Sequence, residues 1–215
     1  LLAAKAAGRA IVGLWREDAQ GDEWCVADTL IADMEVADER FLERIARRRL
    51  GLPWDICETE RLTIREIAER DYEEIVKNRV DESLDTVENV ADYTKRHYEV
   101  FEFGFWTVEE KKSGSLVGVV GFRIPQDDGI RGVDYYVLSL SDKNSWNDTL
   151  EIGYHIFPEY RRKGYAKEAC RAAIEYAEEE FGTVQFIVRI GKENIVSKKM
   201  AESLGFVKTE EDPFD

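Results

Sequence analysis

Metal-ligating side chains are scarce in this sequence of 215 residues, which holds three cysteines and two histidines. Cys25, Cys57 and Cys170 have no CxxC spacing and an odd count builds no disulfide framework, so reduced thiols are expected. His97 and His155 stand far apart without a carboxylate at helical ligand spacing, which argues against a zinc site and leaves no metal assigned. Cations are short as well: 30 Lys and Arg against 45 Asp and Glu give a formal charge of −15. A general nucleic-acid binder would carry a basic face, so that class is excluded, and a cationic partner such as an amine is favoured. Acidity that only keeps the chain soluble is the plain alternative. No apolar run nears the roughly 18 residues of a membrane span, and LLAAKAAGRA lacks a signal-peptide core and cleavage site. The expectation is a cytoplasmic protein without a membrane partner. The first residue is Leu1 rather than methionine, so missing upstream residues belong to the expectation too.

What is present is an ordinary globular composition, 44% apolar and 35% charged, long enough for one domain of about 150 residues and a smaller appendage. Proline, glycine and a change of pattern at GLPWDIC place the boundary at residues 55 and 56. Residues 1–55 read as a small α/β appendage: a helix closed by Gly8, a strand at AIVGLW, a short edge element, and a helix with Phe41, Leu42, Ile45 and Ala46 on one face and arginines at its end, as the helix dipole favours. Residues 56–215 read as β, two helices, several antiparallel strands, then βαβα. Leu62, Ile64 and Ile67 alternate as a half-buried strand, 68–79 and 86–101 are helical with Thr86 as N-cap, and 104–111 with 115–124 form a hairpin. VDYYVLSLS (133–141) is a further strand or an extension of that hairpin. Strands at 149–157 and 184–190 alternate with helices at 163–181 and 193–205. The fold class is α/β of the α+β kind, a mixed, largely antiparallel sheet flanked by helices.

One stretch asks for a ligand. At RRKGYA, residues 161–166, the chain turns from a strand into a helix whose first N–H groups lack intrahelical partners and attract phosphate. Gly164 permits close approach, Ala166 leaves room, and Arg161, Arg162 and Lys163 add charge. With no Gly-Lys-Ser/Thr following, the turn suits a pyrophosphate rather than a nucleoside-triphosphate loop; a solvated basic turn is the bland reading.

LEIGYHIFPEYRRKGYAKEA resembles motif A of the GNAT N-acetyltransferases, with Arg161, Gly164 and Ala166 filling its Arg/Gln-x-x-Gly-x-Gly/Ala signature. ENIVSKKMAESLGF resembles their motif B, where Asn194, Ser197 and LGF are similar to the ribosomal-protein alanine acetyltransferase branch, and ETERLTIRE resembles that branch's first strand. The resemblance covers residues 58 to about 210. It implies a sheet whose strands 150–157 and 184–190 splay into a V holding acetyl-CoA as cosubstrate. The pantetheine arm would pair near Ile156 and Phe157, the pyrophosphate would take N–H groups from Arg162 to Ala166, Asn194 would hold the pantetheine or bulge region, and Tyr165 and Lys167 would flank the nucleotide. AAKAAG, AIVGLW and VADTLIADMEVADERFLE resemble the last strand–helix unit of haloacid-dehalogenase-like phosphatases, without that family's catalytic motifs; a docking appendage is the alternative.

The chemistry implied is acetyl transfer to a primary amine of a small molecule or a protein N-terminus. An amine is mostly protonated near neutrality, so a base is needed, and Glu151 is the candidate. A backbone N–H of the same strand would polarise the thioester carbonyl. The thiolate needs a proton donor; the tyrosine many relatives place in the last helix corresponds to Ala201 here, and Ser197 is the substitute. His155 reads as a packed or cleft-wall residue, and Trp106, Tyr135, Tyr136 and Trp146 as pocket-lining or simply packed aromatics. Rival readings are a CoA-binding sensor or assembly module without turnover, and part of a phosphatase–acetyltransferase fusion. Nothing in the sequence bears on oligomeric state.

Overall fold

Alternating apolar residues build eight strands into one sheet. In a computed structural model that describes residues 2–14, 27, 29–126, 131–141 and 149–209, these are β3 (Asp55–Glu58), β4 (Leu62–Glu66), β5 (Phe105–Glu110), β6 (Ser115–Arg123), β7 (Val133–Ser139), β8 (Thr149–Ile156), β9 (Gln185–Gly191) and β10 (Val207–Lys208). Their spatial order is β10-β7-β9-β8-β6-β5-β4-β3, and every neighbouring pair is antiparallel except β8 and β9. The strand at 133–139 pairs with β9 rather than extending the β5–β6 hairpin.

Helices cover both faces. On one lie α5 (Tyr165–Phe181) and α6 (Ile195–Ser203). Ala169, Ala173 and Ala177 are fully buried there, because methyl side chains at helical spacing let α5 lie close upon Leu150, Ile152, Phe186 and Val188. On the other face lie α3 (Tyr72–Lys77) and α4 (Val87–Phe101), over a smaller core of Ile67, Ile75, Leu84, Val90 and Val119. Thr86 caps α4 by accepting from the Asn89 N–H at 3.1 Å.

Before β3, the described residues form α1 (Leu2–Ala6), a parallel pair of short strands, β1 (Val12–Leu14) and β2 (Thr29–Ile31), and α2 (Glu39–Arg49). Phe41 and Ile45 of α2 are buried, but Leu42 is exposed at 51%, and Ala46 is exposed too, against expectation. The inward face is completed instead by Arg44 and Arg48, with side-chain exposures of 12% and 10%. Arg48 reaches into the main domain, donating to Glu66 and to the Tyr98 carbonyl. No helix among the described residues is long and apolar enough to cross a membrane.

Candidate active site

The two parallel strands part company almost at once. β8 and β9 pair only at Thr149↔Gln185, Leu150↔Phe186 and Glu151↔Ile187, although β8 stays bonded to β6 as far as Ile156 and β9 to β7 as far as Gly191. Each strand follows its other neighbour, so a V opens beyond Glu151. The Phe157 N–H donates to the Val117 carbonyl across β6. Strand alternation then turns the main-chain groups of Glu151, Gly153 and His155 to β6, and those of Tyr154 and the Ile156 N–H to the opening.

At the wide end, a 3-10 turn, Pro158–Tyr160, leads into the bend. Arg162 has φ 63° and Gly164 φ 86°, both left-handed, a combination that gathers successive N–H groups into a concave cradle for an anion. The first helical bond of α5 runs from the Glu168 N–H to the Gly164 carbonyl at 3.2 Å. Backward from there, the N–H groups of Lys167 through Arg162 have no acceptor among the described residues. Residues 161–164 are exposed, so the cradle faces solvent beside the V. It fits a diphosphate, which brings two formal negative charges to N–H donors at the positive end of a helix seventeen residues long.

The cations around the bend divide their work. Arg161 turns back, its Nε donating to the Ile156 carbonyl at 2.8 Å, so it braces the end of β8 rather than supplying charge to a phosphate through that atom. Lys163 Nζ stands 4.9 Å from the centre of the Tyr160 ring, and Arg162 is exposed. Arg61, which no local pattern singles out, donates to the Lys163 carbonyl at 2.9 Å and to Glu168, pinning the bend from outside. The Tyr165 ring is buried beneath Arg61 and its hydroxyl donates to Glu110, which leaves its N–H at the bend. Phe157 is fully buried, with its N–H given to Val117 and its carbonyl accepting from the Tyr160 N–H. Ala166 is half-buried behind the cradle, and Lys167 lines a depression along α5 that begins at Gly164.

At the closed end of the V, Glu151 projects to the α4 face and is 2% exposed. Its Oε1 accepts from Arg123 Nη2 at 2.5 Å and Arg189 Nε at 3.0 Å, while Oε2 is buried with no partner among the described residues. His155, two positions on from Gly153, packs 6.1 Å from the Phe157 ring; burial and the Arg161 charge lower its pKa, which suits a wall residue. Trp106 and Tyr136 are buried in the core at 0% and 3%; Tyr135 shares the Arg189 position in register, and Trp146 lies outside the described residues.

On the α5 face, Tyr154 is half-buried and its hydroxyl is buried without a hydrogen-bond partner among the described residues. Burial pushes that hydroxyl up to about 12, opposed by the adjacent Ser197 side chain. The two hydroxyls are neighbours without hydrogen-bond geometry, one on β8 and one in the first turn of α6. Asn194 is the N-cap of α6, its Oδ1 accepting from the Ser197 N–H at 3.1 Å, so that oxygen is already committed. Ala201 is buried at 2% and offers no hydroxyl. Alternation along β8 was enough to place Tyr154 on this face; its isolation from partners was not readable.

The profile of the acetyltransferase (GNAT) domain matches residues 61–207. An uncharacterized N-acetyltransferase of Bacillus subtilis, YoaA, is 24% identical over 165 residues, covering 71% of this chain and 83% of its own. A second from that organism, YjdG, is 29% identical over 105 residues, covering 49% of this chain and 52% of its own. Among solved structures, a GNAT-family acetyltransferase from Bordetella pertussis superposes with a TM-score of 0.55 at 18% identity, over 74% of this chain and 92% of that one. One from Bacillus anthracis gives 0.50 at 24%, over 69% and 81%; at these identities both speak to the fold.

Proposed function

The chain belongs to the GNAT acetyltransferase family, and on that premise we propose that it transfers the acetyl group of acetyl-CoA, the cosubstrate general to that family, to the nitrogen of a primary amine by direct attack. The observation that carries the reading is the joining of a V beyond Glu151 to a cradle of N–H groups at Arg162–Lys167 that have no acceptor among the described residues. A diphosphate in the cradle directs a thioester arm along the open edge of β8 toward Glu151. Cys170, fully buried, has its pKa raised by burial; it is no thiolate nucleophile, which supports attack by the amine itself over an acetylated cysteine.

In the transfer, the amine nitrogen bonds to the acetyl carbon, the carbon–sulfur bond breaks, and sulfur leaves with the electron pair. The amine must lose a proton and the sulfur must gain one. Glu151 Oε2, buried and without a partner among the described residues, receives the amine proton, with Oε1 anchored by two guanidiniums. The Tyr154 N–H at the opening donates to the carbonyl oxygen as charge develops. The Tyr154 hydroxyl, with Ser197 beside it, supplies the proton to sulfur. The acceptor is a small-molecule amine or a protein N-terminus.

Glu151→Gln is expected to lower kcat/KM about a hundredfold at pH 7, read by thiol release from acetyl-CoA with an amine panel. That deficit should shrink above pH 9, where free amine is abundant; a deficit equal at both pH values would mean that Glu151 only holds the amine. Tyr154→Phe should lower kcat about tenfold or more while the Kd for CoA changes by less than about threefold. An unchanged kcat would remove Tyr154 as donor. CoA binding without turnover on any amine would favour the sensor reading.

A further inference from the structure

A cavity of about 220 Å³ opens on the α4 face, lined on one side by His97, Phe101 and Phe103 and on the other by Arg123, Gln126 and Arg189. It lies at the closed end of the V, because Arg123 and Arg189 are the two residues that grip Glu151. Its volume is below the roughly 300–1,000 Å³ of drug-sized sites, which points to one small metabolite. The rings stand close, 4.8 Å between His97 and Phe101 and 6.0 Å between Phe101 and Phe103, and burial lowers the His97 pKa. The ring wall is therefore neutral and largely apolar.

The opposite wall is cationic, in contrast to the formal charge of −15 on the whole chain. Among the described residues, no carboxylate belongs to the cavity lining. Arg123 has a side chain 44% exposed, and its Nε and Nη1 have no acceptor among the described residues. A guanidinium in this state is suited to a carboxylate, and it repels a polycation. Its partner in the ion pair, Glu151, keeps Oε2 for an amine. Thus an acceptor of positive charge and an acceptor of negative charge are held as direct neighbours, as are the amine and carboxylate on one carbon of an α-amino acid.

We infer that the acceptor is a small α-amino acid with an apolar or aromatic side chain, its carboxylate on Arg123, its amine at Glu151 and its side chain against His97, Phe101 and Phe103. This rests on the acetyl-transfer reading and narrows its substrate.

The test compares phenylalanine, phenylalaninamide and spermidine as acceptors, by thiol release from acetyl-CoA, in the unaltered chain and in Arg123→Gln. Phenylalanine should exceed its amide at least tenfold in kcat/KM, spermidine should be poorest, and Arg123→Gln should bring the acid-to-amide ratio to within about threefold of one. Preference for the amide or spermidine, or a ratio indifferent to Arg123→Gln, would overturn the inference and leave acetyl transfer standing. If acetyl-CoA binds but no amine is turned over, calorimetry with phenylalanine on the CoA complex decides. Binding that weakens about tenfold in Arg123→Gln supports the pocket assignment even though transfer has failed. No binding, or binding equal in both chains, overturns it.

Discussion

Gly164→Val is expected to raise the Kd for CoA about a hundredfold while leaving the chain folded. The glycine sits at φ 86° at the N-cap of α5, a left-handed torsion that costs a branched L-residue of order 1–3 kcal/mol. An added Cβ would meet only Arg61 Nη2, at 3.3 Å, the end of a flexible side chain, so packing does not forbid the substitution. The loss falls on binding. If the strain is relieved by rotating the bend, at least two N–H groups leave the diphosphate, and charge-assisted bonds are worth about 1.5–3 kcal/mol each. About 3 kcal/mol corresponds to roughly a hundredfold. Calorimetry with CoA reads the effect, and a Kd within threefold of the unaltered chain would place the diphosphate elsewhere.

Arg48→Ala should produce a large loss of stability. Arg48 donates to Glu66 Oε1 through Nε at 2.9 Å and Nη2 at 2.6 Å, and to the Tyr98 carbonyl through Nη1 at 2.9 Å. Glu66 is 2% exposed, so removing the guanidinium strands a carboxylate in the interior, at a cost of about 3–5 kcal/mol. For a chain of this size that lowers Tm by roughly 10 °C. Burial already raises the Glu66 pKa, against the pull of Arg48. A carboxyl with a raised folded-state pKa holds its proton where the unfolded chain has lost it, so stability rises as pH falls through that window. The deficit of Arg48→Ala should therefore shrink between pH 7 and pH 5. The double change Arg48→Met with Glu66→Leu should restore most of the Tm, since apolar replacement of both partners removes the desolvation penalty. A fall below 2 °C for Arg48→Ala would mean that α2 does not depend on this contact.

These two sites mark what a sequence does and does not display. The bend was readable because Arg161–Ala166 is local: a glycine, a small residue and a strand-to-helix change all lie within one turn of chain. The strands Leu62–Glu66 and Leu150–Ile156 were readable for the same reason, but the half-buried alternation expected of the first is not found, since Arg65 and Glu66 are buried at 4% and 2%. The inward face of α2 was not, because Arg44 and Arg48 owe their burial to Glu102 and Glu66, carboxylates far along the chain, and they displaced Leu42 and Ala46 from it. β3 escaped notice because its four residues, Asp55–Glu58, include only one fully buried side chain. Glu151 was identifiable as a carboxylate within a strand, yet its grip by Arg123 and Arg189 required β6 and β9 to be set on either side of it. Arg61 and Tyr154 gain their parts in the site only through neighbours distant in sequence.

The most direct measurement follows backbone amide resonances by NMR as CoA is added to the unaltered chain. The account predicts that the amides of Arg162 through Lys167 and of Tyr154 and Ile156 shift together at one saturation point, while those of α2 stay in place. Saturation with the Arg162–Lys167 amides unmoved would contradict it.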